Sequence, residues 1–306
     1  MRTPDRPSAF TSDSARDKYY AVYDRLLAEL WPVPVDAVDV ETRAGVVRIH
    51  RAGPAEGDPV VLLAGAGANA LAWYRYIEPL ARTRPVLALD PLGEPGRSIQ
   101  RRPLTTGAEV GGWITDVLAA AGAERAHVAG FSAGGWAAVE QQRAGGGRVA
   151  ALTLVDPGGF APLPGRFIRW ALAGAVASML PRTLRHRMAG VVGNGVLRED
   201  GLVELMRAGW SFRRRVLIPP VYTDEQIREL SVPVQVLLGE RSALLDARAL
   251  AARLADIAPS WRVEIVPGTG HSLPVEAPDL LAERILTFPR QTQGGTATPR
   301  HSTNNG

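Results

Sequence analysis

Short apolar runs alternate along the chain with longer segments in which apolar residues recur at helical spacing. The runs are continuous, which is typical of strands covered by helices on both faces. They occupy residues 59–64, 85–90, 126–131, 149–155, 232–238 and 261–266. This alternation predicts an α/β protein with a mainly parallel central sheet flanked by helices.

The amino-terminal part of the chain has a different pattern. Apolar residues from 14 to 30 follow helical spacing, and Trp31-Pro32-Val33-Pro34 ends that helix. Residues 35–42 and 46–51 alternate apolar with polar positions, as an antiparallel hairpin at a sheet edge does. We therefore expect a helical extension over residues 1–34 and a sheet core over 35–157 and 231–289.

Between the fourth and fifth of these apolar runs the pattern is helical throughout. Segments 166–180, 182–192, 196–210 and 223–230 have helical spacing with no strand between them. Residues 158–230, hereafter the cap segment, are predicted to form a helical cap inserted after the strand that ends at Val155. Residues 290–306 are polar and aperiodic, and we expect a disordered tail.

Composition narrows the class of protein. The 306 residues are 46% hydrophobic and 22% charged, as in an ordinary globular enzyme, and the absence of cysteine excludes disulfides and thiolate chemistry. We predict no metal and no organic cofactor. The first residues lack an apolar signal segment, and the apolar stretch 167–180 is too short to span a bilayer, so we expect a cytoplasmic protein with no membrane partner.

The charge of the chain is mildly basic. The formal net charge is +4, and Lys18 is the only lysine beside 34 arginines, with no accompanying nucleic-acid-binding motif. We therefore predict no nucleic-acid partner. Between positions 162 and 215 the sequence contains ten arginines and three acidic residues. This excess indicates a solvated face or, alternatively, a surface that attracts an anionic substrate or partner.

The apolar run 126–131 leads into a sharp turn with a serine at its apex. The turn reads Gly130-Phe131-Ser132-Ala133-Gly134, and helical spacing follows at once. Strand, turn and helix in this order are the context of the G-x-S-x-G nucleophile elbow, in which small neighbours allow the strand and helix to approach closely. The alternative is a βα turn whose serine merely caps the helix.

A nucleophilic serine needs a base within hydrogen-bond reach and an acid that orients the base. Of the five histidines, His271 alone stands in a loop directly after a late buried strand, at the edge where Ser132 should emerge. An oxyanion also needs two backbone donors. We predict the amides of Ala133, after the nucleophile, and of Ala66, in the loop Gly65-Ala66-Gly67.

These motifs together resemble the α/β-hydrolase superfamily and, more narrowly, its carboxylesterase-like members. The loop from Asp90 to Ser98 is similar to the family's D-x-x-G-x-G-x-S segment, and Ala64 and Pro95 stand where family members often have histidine. The resemblance implies a serine hydrolase that cleaves a carboxylic ester through an acyl-enzyme intermediate. Alternatives are a biosynthetic thioesterase, acyltransferase or cyclase on the same fold, and a non-catalytic binding protein.

The acid of the triad departs from the family pattern. Similar members carry an aspartate in a Gly-x-x-Asp segment, whereas Gly239-Glu240-Arg241-Ser242 places a serine there. Asp246, in the same loop, is the first candidate, although it would also cap the next helix well. Asp156 and then Glu240 are the alternatives.

Aromatic residues near the predicted sheet edge are candidates for the walls of an apolar pocket, although such residues often belong to the core instead. They are Trp73, Phe131, Phe160, Phe167 and Trp170.

Overall fold

A computed structural model describes residues 6–145, 147–215 and 217–291. Most of the predicted disordered tail, residues 292–306, lies outside the described residues, whereas residues 290 and 291 complete the last helix. Within the described residues the strands are β1 (Ala9–Phe10), β2 (Asp36–Thr42), β3 (Gly45–Ala52), β4 (Val60–Leu63), β5 (Val86–Leu89), β6 (Ile99–Gln100), β7 (Ala126–Phe131), β8 (Val149–Val155), β9 (Phe212–Arg213), β10 (Val234–Gly239) and β11 (Arg262–Val266).

Helices connect most of these strands. The α-helices are α1 (Asp13–Leu30), α2 (Tyr74–Ala81), α3 (Gly107–Ala120), α4 (Ala133–Arg143), α5 (Gly165–Ser178), α6 (Arg182–Val192), α7 (Asp200–Ala208), α8 (Asp224–Arg228), α9 (Ala247–Ile257), α10 (Leu273–Glu276) and α11 (Pro278–Gln291). Short 3-10 turns cover Ala70–Trp73, Gly195–Arg198 and Gly209–Ser211.

Nine strands form one sheet in the order β11-β10-β8-β7-β4-β5-β3-β2, with β6 paired to β3. The pairs from β11 to β5 are parallel, and β3 joins β5 and β2 in antiparallel fashion. The predicted mainly parallel sheet is therefore confirmed. Because the ends of parallel strands meet at one edge, the loops after β4, β7, β8, β10 and β11 converge there.

Two hydrophobic clusters cover the two faces of the sheet. Val61 and Leu63 of β4 belong to the cluster beneath α3, α4 and α9, and Val60 and Leu62 belong to the cluster beneath α1, α2 and α11. Successive strand residues point to opposite faces, so a strand buried on both sides needs a continuous apolar sequence.

The cap segment contains α5 to α8, but the expectation of no strand between its helices is wrong, because β9 lies there and pairs with β1. One helix predicted there is also wrong. The spacing from residue 196 to 210 predicts a single helix, whereas a 3-10 turn and α7 are separated at Glu199, whose backbone is extended at φ −90° and ψ 90°. The Glu199 carboxylate accepts hydrogen bonds from Tyr74 and Arg75 of the core. These contacts stabilise the extended backbone at Glu199. Leu202 and Leu205 of α7 pack into the cluster that contains α1.

Candidate active site

Ser132 sits at the apex between β7 and α4 in a backbone conformation rare for a residue with a side chain, φ 53° and ψ −115°. Its amide donates to Val155 O at 2.9 Å, and its carbonyl accepts from Gly158 N at 3.0 Å. A Cβ on Gly130 would lie 2.3 Å from Gly134 O, so this turn is too tight for larger neighbours. The serine side chain is therefore fixed at the edge of the sheet, where β7 ends.

His271 follows β11 and lies beside the end of β8. Its Nδ1 is 2.5 Å from Asp156 Oδ2. His271 is 4% exposed and Asp156 is fully buried. An ionised carboxylate only accepts hydrogen bonds, so Nδ1 carries the proton and Nε2 is left as the acceptor.

The prediction that Asp246 contacts His271 is wrong. The Asp246 carboxylate caps α9 and accepts from Ala249 N at 3.0 Å, and among the described residues no hydrogen bond joins it to the imidazole. Glu240 accepts from Gly268 N at 2.8 Å and braces the loop before the histidine. Asp156, the second of the three carboxylates considered, occupies the position beside the ring.

The serine in the Gly-x-x-Asp slot lies in the same cluster. Ser242 Oγ is 2.5 Å from Asp156 Oδ2, the oxygen that also contacts His271. Gly239 N approaches Asp156 Oδ1 at 3.3 Å. Asp156 itself has a positive φ of 42°, a region in which aspartate is tolerated better than most residues.

The loop after β4 forms a tight turn, in which Ala68 N donates to Gly65 O at 3.1 Å and Gly67 has a φ of 79°. The amides of Ala66 and Ala133, the predicted oxyanion donors, have no acceptor among the described residues. Ala133 is the first residue of α4, where helix amides are unpaired and the helix dipole is positive.

An ion pair between the buried Glu94 and the more exposed Arg214 braces this loop from the cap segment. Glu94 accepts from Gly67 N at 2.7 Å and from Arg214 Nε at 2.5 Å. Burial raises the pKa of Glu94, and the Arg214 charge and the Gly67 amide oppose that shift. The turn that carries Ala66 is thereby linked to the chain that follows α7.

A cavity of about 360 Å³ opens between the sheet edge and the cap segment, and Ser132, His271, Gly65, Ala66 and Gly67 all line it. Its remaining walls include apolar side chains of α5, of the 3-10 turn Gly195–Arg198, of α7 and of α10. The rings of Phe131, Phe167 and Trp170 surround the imidazole, with centroids 5.0, 5.1 and 5.4 Å from it.

Two of the five predicted lining aromatics are in the core instead. Trp73 is buried against Tyr76, and Phe160 packs on Tyr222 and Trp261. Neither borders the cavity among the described residues. Four further residues that line the cavity are not predicted from the sequence. They are Tyr19 of α1, Asn194 after α6, Met206 of α7 and Arg214 after β9.

Two further properties concern the described residues alone. They contain no group of three or more histidine, aspartate or glutamate side chains arranged to hold a metal ion. None of their helices has the length and apolar character that a membrane crossing requires.

Comparison with known proteins gives the chain its relatives. The sequence model of a family described as "Alpha/beta hydrolase family" matches residues 60–284. The chain is 29% identical to "Uncharacterized carboxylesterase nap" of Bacillus subtilis over 280 residues, covering 89% of this chain and 92% of the relative. It is 28% identical to "Carboxylesterase YbfK" of the same organism over 294 residues, covering 89% and 93%.

Solved structures agree with the sequence relatives. The crystal structure of naproxen esterase (carboxylesterase NP) from Bacillus subtilis superposes with a TM-score of 0.78 at 27% identity, covering 90% of this chain and 98% of that one. The residues that the family model matches include Ser132 and the loop that carries His271. The chain belongs to the alpha/beta hydrolase family.

Proposed function

We propose that the protein is a carboxylesterase that cleaves an uncharged ester through an acyl-enzyme, with Ser132 as nucleophile, His271 as base and Asp156 as the acid. The observation that carries this proposal is the 2.5 Å contact between His271 Nδ1 and the fully buried Asp156, with His271 and Ser132 lining the same cavity. The carboxylesterase relatives support the same reaction class.

The reaction proceeds in two halves. Ser132 Oγ attacks the ester carbonyl while His271 Nε2 takes the hydroxyl proton, and the amides of Ala66 and Ala133 stabilise the oxyanion. The C–O bond to the alcohol breaks, and His271 returns the proton to the leaving oxygen. A water molecule, deprotonated by His271, then attacks the acyl-enzyme; the bond from the acyl carbon to Ser132 Oγ breaks, His271 returns the proton to Oγ, and the carboxylic acid leaves.

The charge of the cavity favours an uncharged substrate. Of the described residues that line it, Arg214 carries the fixed charge, and its guanidinium is already paired with Glu94. A phosphate-bearing thioester carrier would find no free cation at this wall. The apolar walls instead suit an alkyl or aryl ester.

A pre-steady-state assay tests the proposal. With a p-nitrophenyl ester we expect a burst of one equivalent of p-nitrophenol, followed by slower turnover, because this good leaving group makes acylation faster than hydrolysis of the acyl-enzyme. Ser132→Ala should abolish both phases. A folded wild-type protein with no turnover of any ester in a chain-length panel would contradict the proposal, and preference for acyl thioesters over matched esters would favour the transferase or thioesterase alternative.

A further inference from the structure

Asp156 Oδ2 is a shared acceptor in the buried cluster. It lies 2.5 Å from His271 Nδ1 and 2.5 Å from Ser242 Oγ, whereas among the described residues Oδ1 has only the longer approach of Gly239 N at 3.3 Å. The carboxylate is fully buried and Ser242 is 8% exposed. A buried carboxylate is costly unless hydrogen bonds compensate its charge, so each of these donors affects the ionised form.

The hydroxyl proton of Ser242 can point in one direction only. Leu244 N and Leu245 N both donate to Ser242 Oγ at 3.1 Å, so its lone pairs are occupied. The ionised Asp156 carboxylate is an acceptor without protons of its own. The Ser242 O–H must therefore donate to Asp156 Oδ2, and the two backbone amides fix the direction of that bond.

We propose that Ser242 is a positioning residue for the reaction: it holds the Asp156 carboxylate in the orientation that receives His271 Nδ1. This inference rests on the proposed function. It also accounts for the serine in the Gly-x-x-Asp slot. The carboxylate comes from Asp156 at the end of β8. The loop after β10 contributes the Ser242 hydroxyl that orients this carboxylate.

A purely structural role is the competing explanation, because Ser242 also accepts from two amides of its own turn. The two roles differ in their dependence on Asp156. A positioning residue acts through the carboxylate, and its effect vanishes when the carboxylate is gone. A turn-stabilising residue has the same effect with or without it.

A double-mutant cycle separates the two roles. The variants are Ser242→Ala, Asp156→Asn and their combination, with Asn chosen because it tolerates the positive φ of Asp156. We expect Ser242→Ala to lower kcat about tenfold with little change in KM, the scale of one hydrogen bond to a charged group. In the Asp156→Asn background the same change should cost less than about twofold.

Equal losses in both backgrounds, or no loss in the wild-type background, would overturn the inference. If Ser242→Ala fails to fold, Ser242→Cys replaces it in the cycle, because a thiol keeps the volume but donates weakly. Thermal unfolding of each variant identifies losses that come from instability.

A spectroscopic measurement makes the test independent of turnover. The Nδ1 proton of His271, bonded to a carboxylate, should resonate far downfield in the proton NMR spectrum, and Asp156→Asn, which should remove it, assigns it. We expect Ser242→Ala to shift this resonance, and an unchanged position would overturn the inference. Wild-type protein that hydrolyses no ester but shows a Ser242-dependent resonance would refute the proposed function and leave the positioning role intact.

Discussion

The edge of the sheet and the cap segment build the two sides of one cavity in different ways. On the sheet side the backbone fixes two of the groups that we propose for catalysis: Ser132 and Asp156 have positive φ, and both follow directly on strands. On the cap side the walls are side chains of α5 and α7, helices whose outer faces are open to solvent. Leu172 and Val176 on α5 and Met179, the residue that follows it, are 62%, 65% and 66% exposed.

This difference separates chemistry from selectivity. Groups fixed by the backbone tolerate little displacement, because moving a reacting atom by about 1 Å greatly lowers the rate of the reaction. Side chains on a helix surface can change the shape of the cavity while the sheet edge stays in place. Substitutions at the sheet edge should therefore act on kcat, and substitutions in the cap walls should act on KM.

The largest effect should come from the acid. Asp156→Asn should lower kcat by about four orders of magnitude, because an amide favours the wrong histidine tautomer. Asp246→Asn is the matched control and should stay within about twofold, since asparagine caps a helix as well as aspartate. Steady-state kinetics with a short-chain chromogenic ester measure both. The reverse ranking would restore Asp246 as the acid.

The next effect concerns the brace between the two regions. Glu94→Ala removes the acceptor of Gly67 N. We expect kcat to fall up to about a hundredfold, because the turn that carries Ala66, the proposed oxyanion donor, loses its position. Glu94→Gln retains an oxygen for that amide but loses the ion pair with Arg214, so its loss should be smaller. If both variants turn over at the wild-type rate, the brace has no catalytic consequence.

A smaller effect should appear in the cap walls. Met206 lines the cavity, and Met206→Ala should raise KM for a bulky apolar ester about fivefold with kcat nearly unchanged, the scale of one or two lost methylene contacts. Met179→Ala, at the exposed residue that follows α5, provides the same chemical change outside the cavity and should alter neither constant. A fall in kcat for Met206→Ala would break the separation of the two regions.

The smallest effect should come from the arginines of the cap surface. Arg169 and Arg187 are exposed and do not border the cavity. Replacing both by glutamine should change kcat/KM less than about twofold for a neutral ester and for an anionic ester of the same size, because exposed charges are screened by salt. A salt-sensitive, selective loss with the anionic ester would show that this face attracts substrate.

Local sequence is sufficient for the longer strands, the elbow and the histidine loop, whereas the two-residue strands β1, β6 and β9 leave no such pattern. Continuous apolar runs identify strands buried on both faces. The small residues around Ser132 are required because a Cβ on Gly130 would lie 2.3 Å from Gly134 O. His271 was identified because it follows a late strand at the same edge. These features depend on neighbours in sequence, which is why they could be read before the fold was known.

The acid and part of the wall could not be obtained in this way. Asp156, Glu240 and Asp246 all follow strands that end at this edge, and the choice among them depends on how two separate loops pack together. Asp246 satisfies a helix cap, a role that sequence cannot distinguish from one beside the imidazole. Trp73 and Phe160 lie next to site loops, but their side chains point into the core, and local pattern does not encode that direction.

Labelling with a fluorophosphonate followed by peptide mass spectrometry tests the central claim most directly, because the probe reacts covalently with an activated serine. We predict a single adduct on Ser132 in the wild-type protein and in Asp246→Asn, a strongly slowed reaction in Asp156→Asn, and none in Ser132→Ala. A folded wild-type protein that stays unlabelled, or that is labelled at another residue, would contradict Ser132 as the nucleophile.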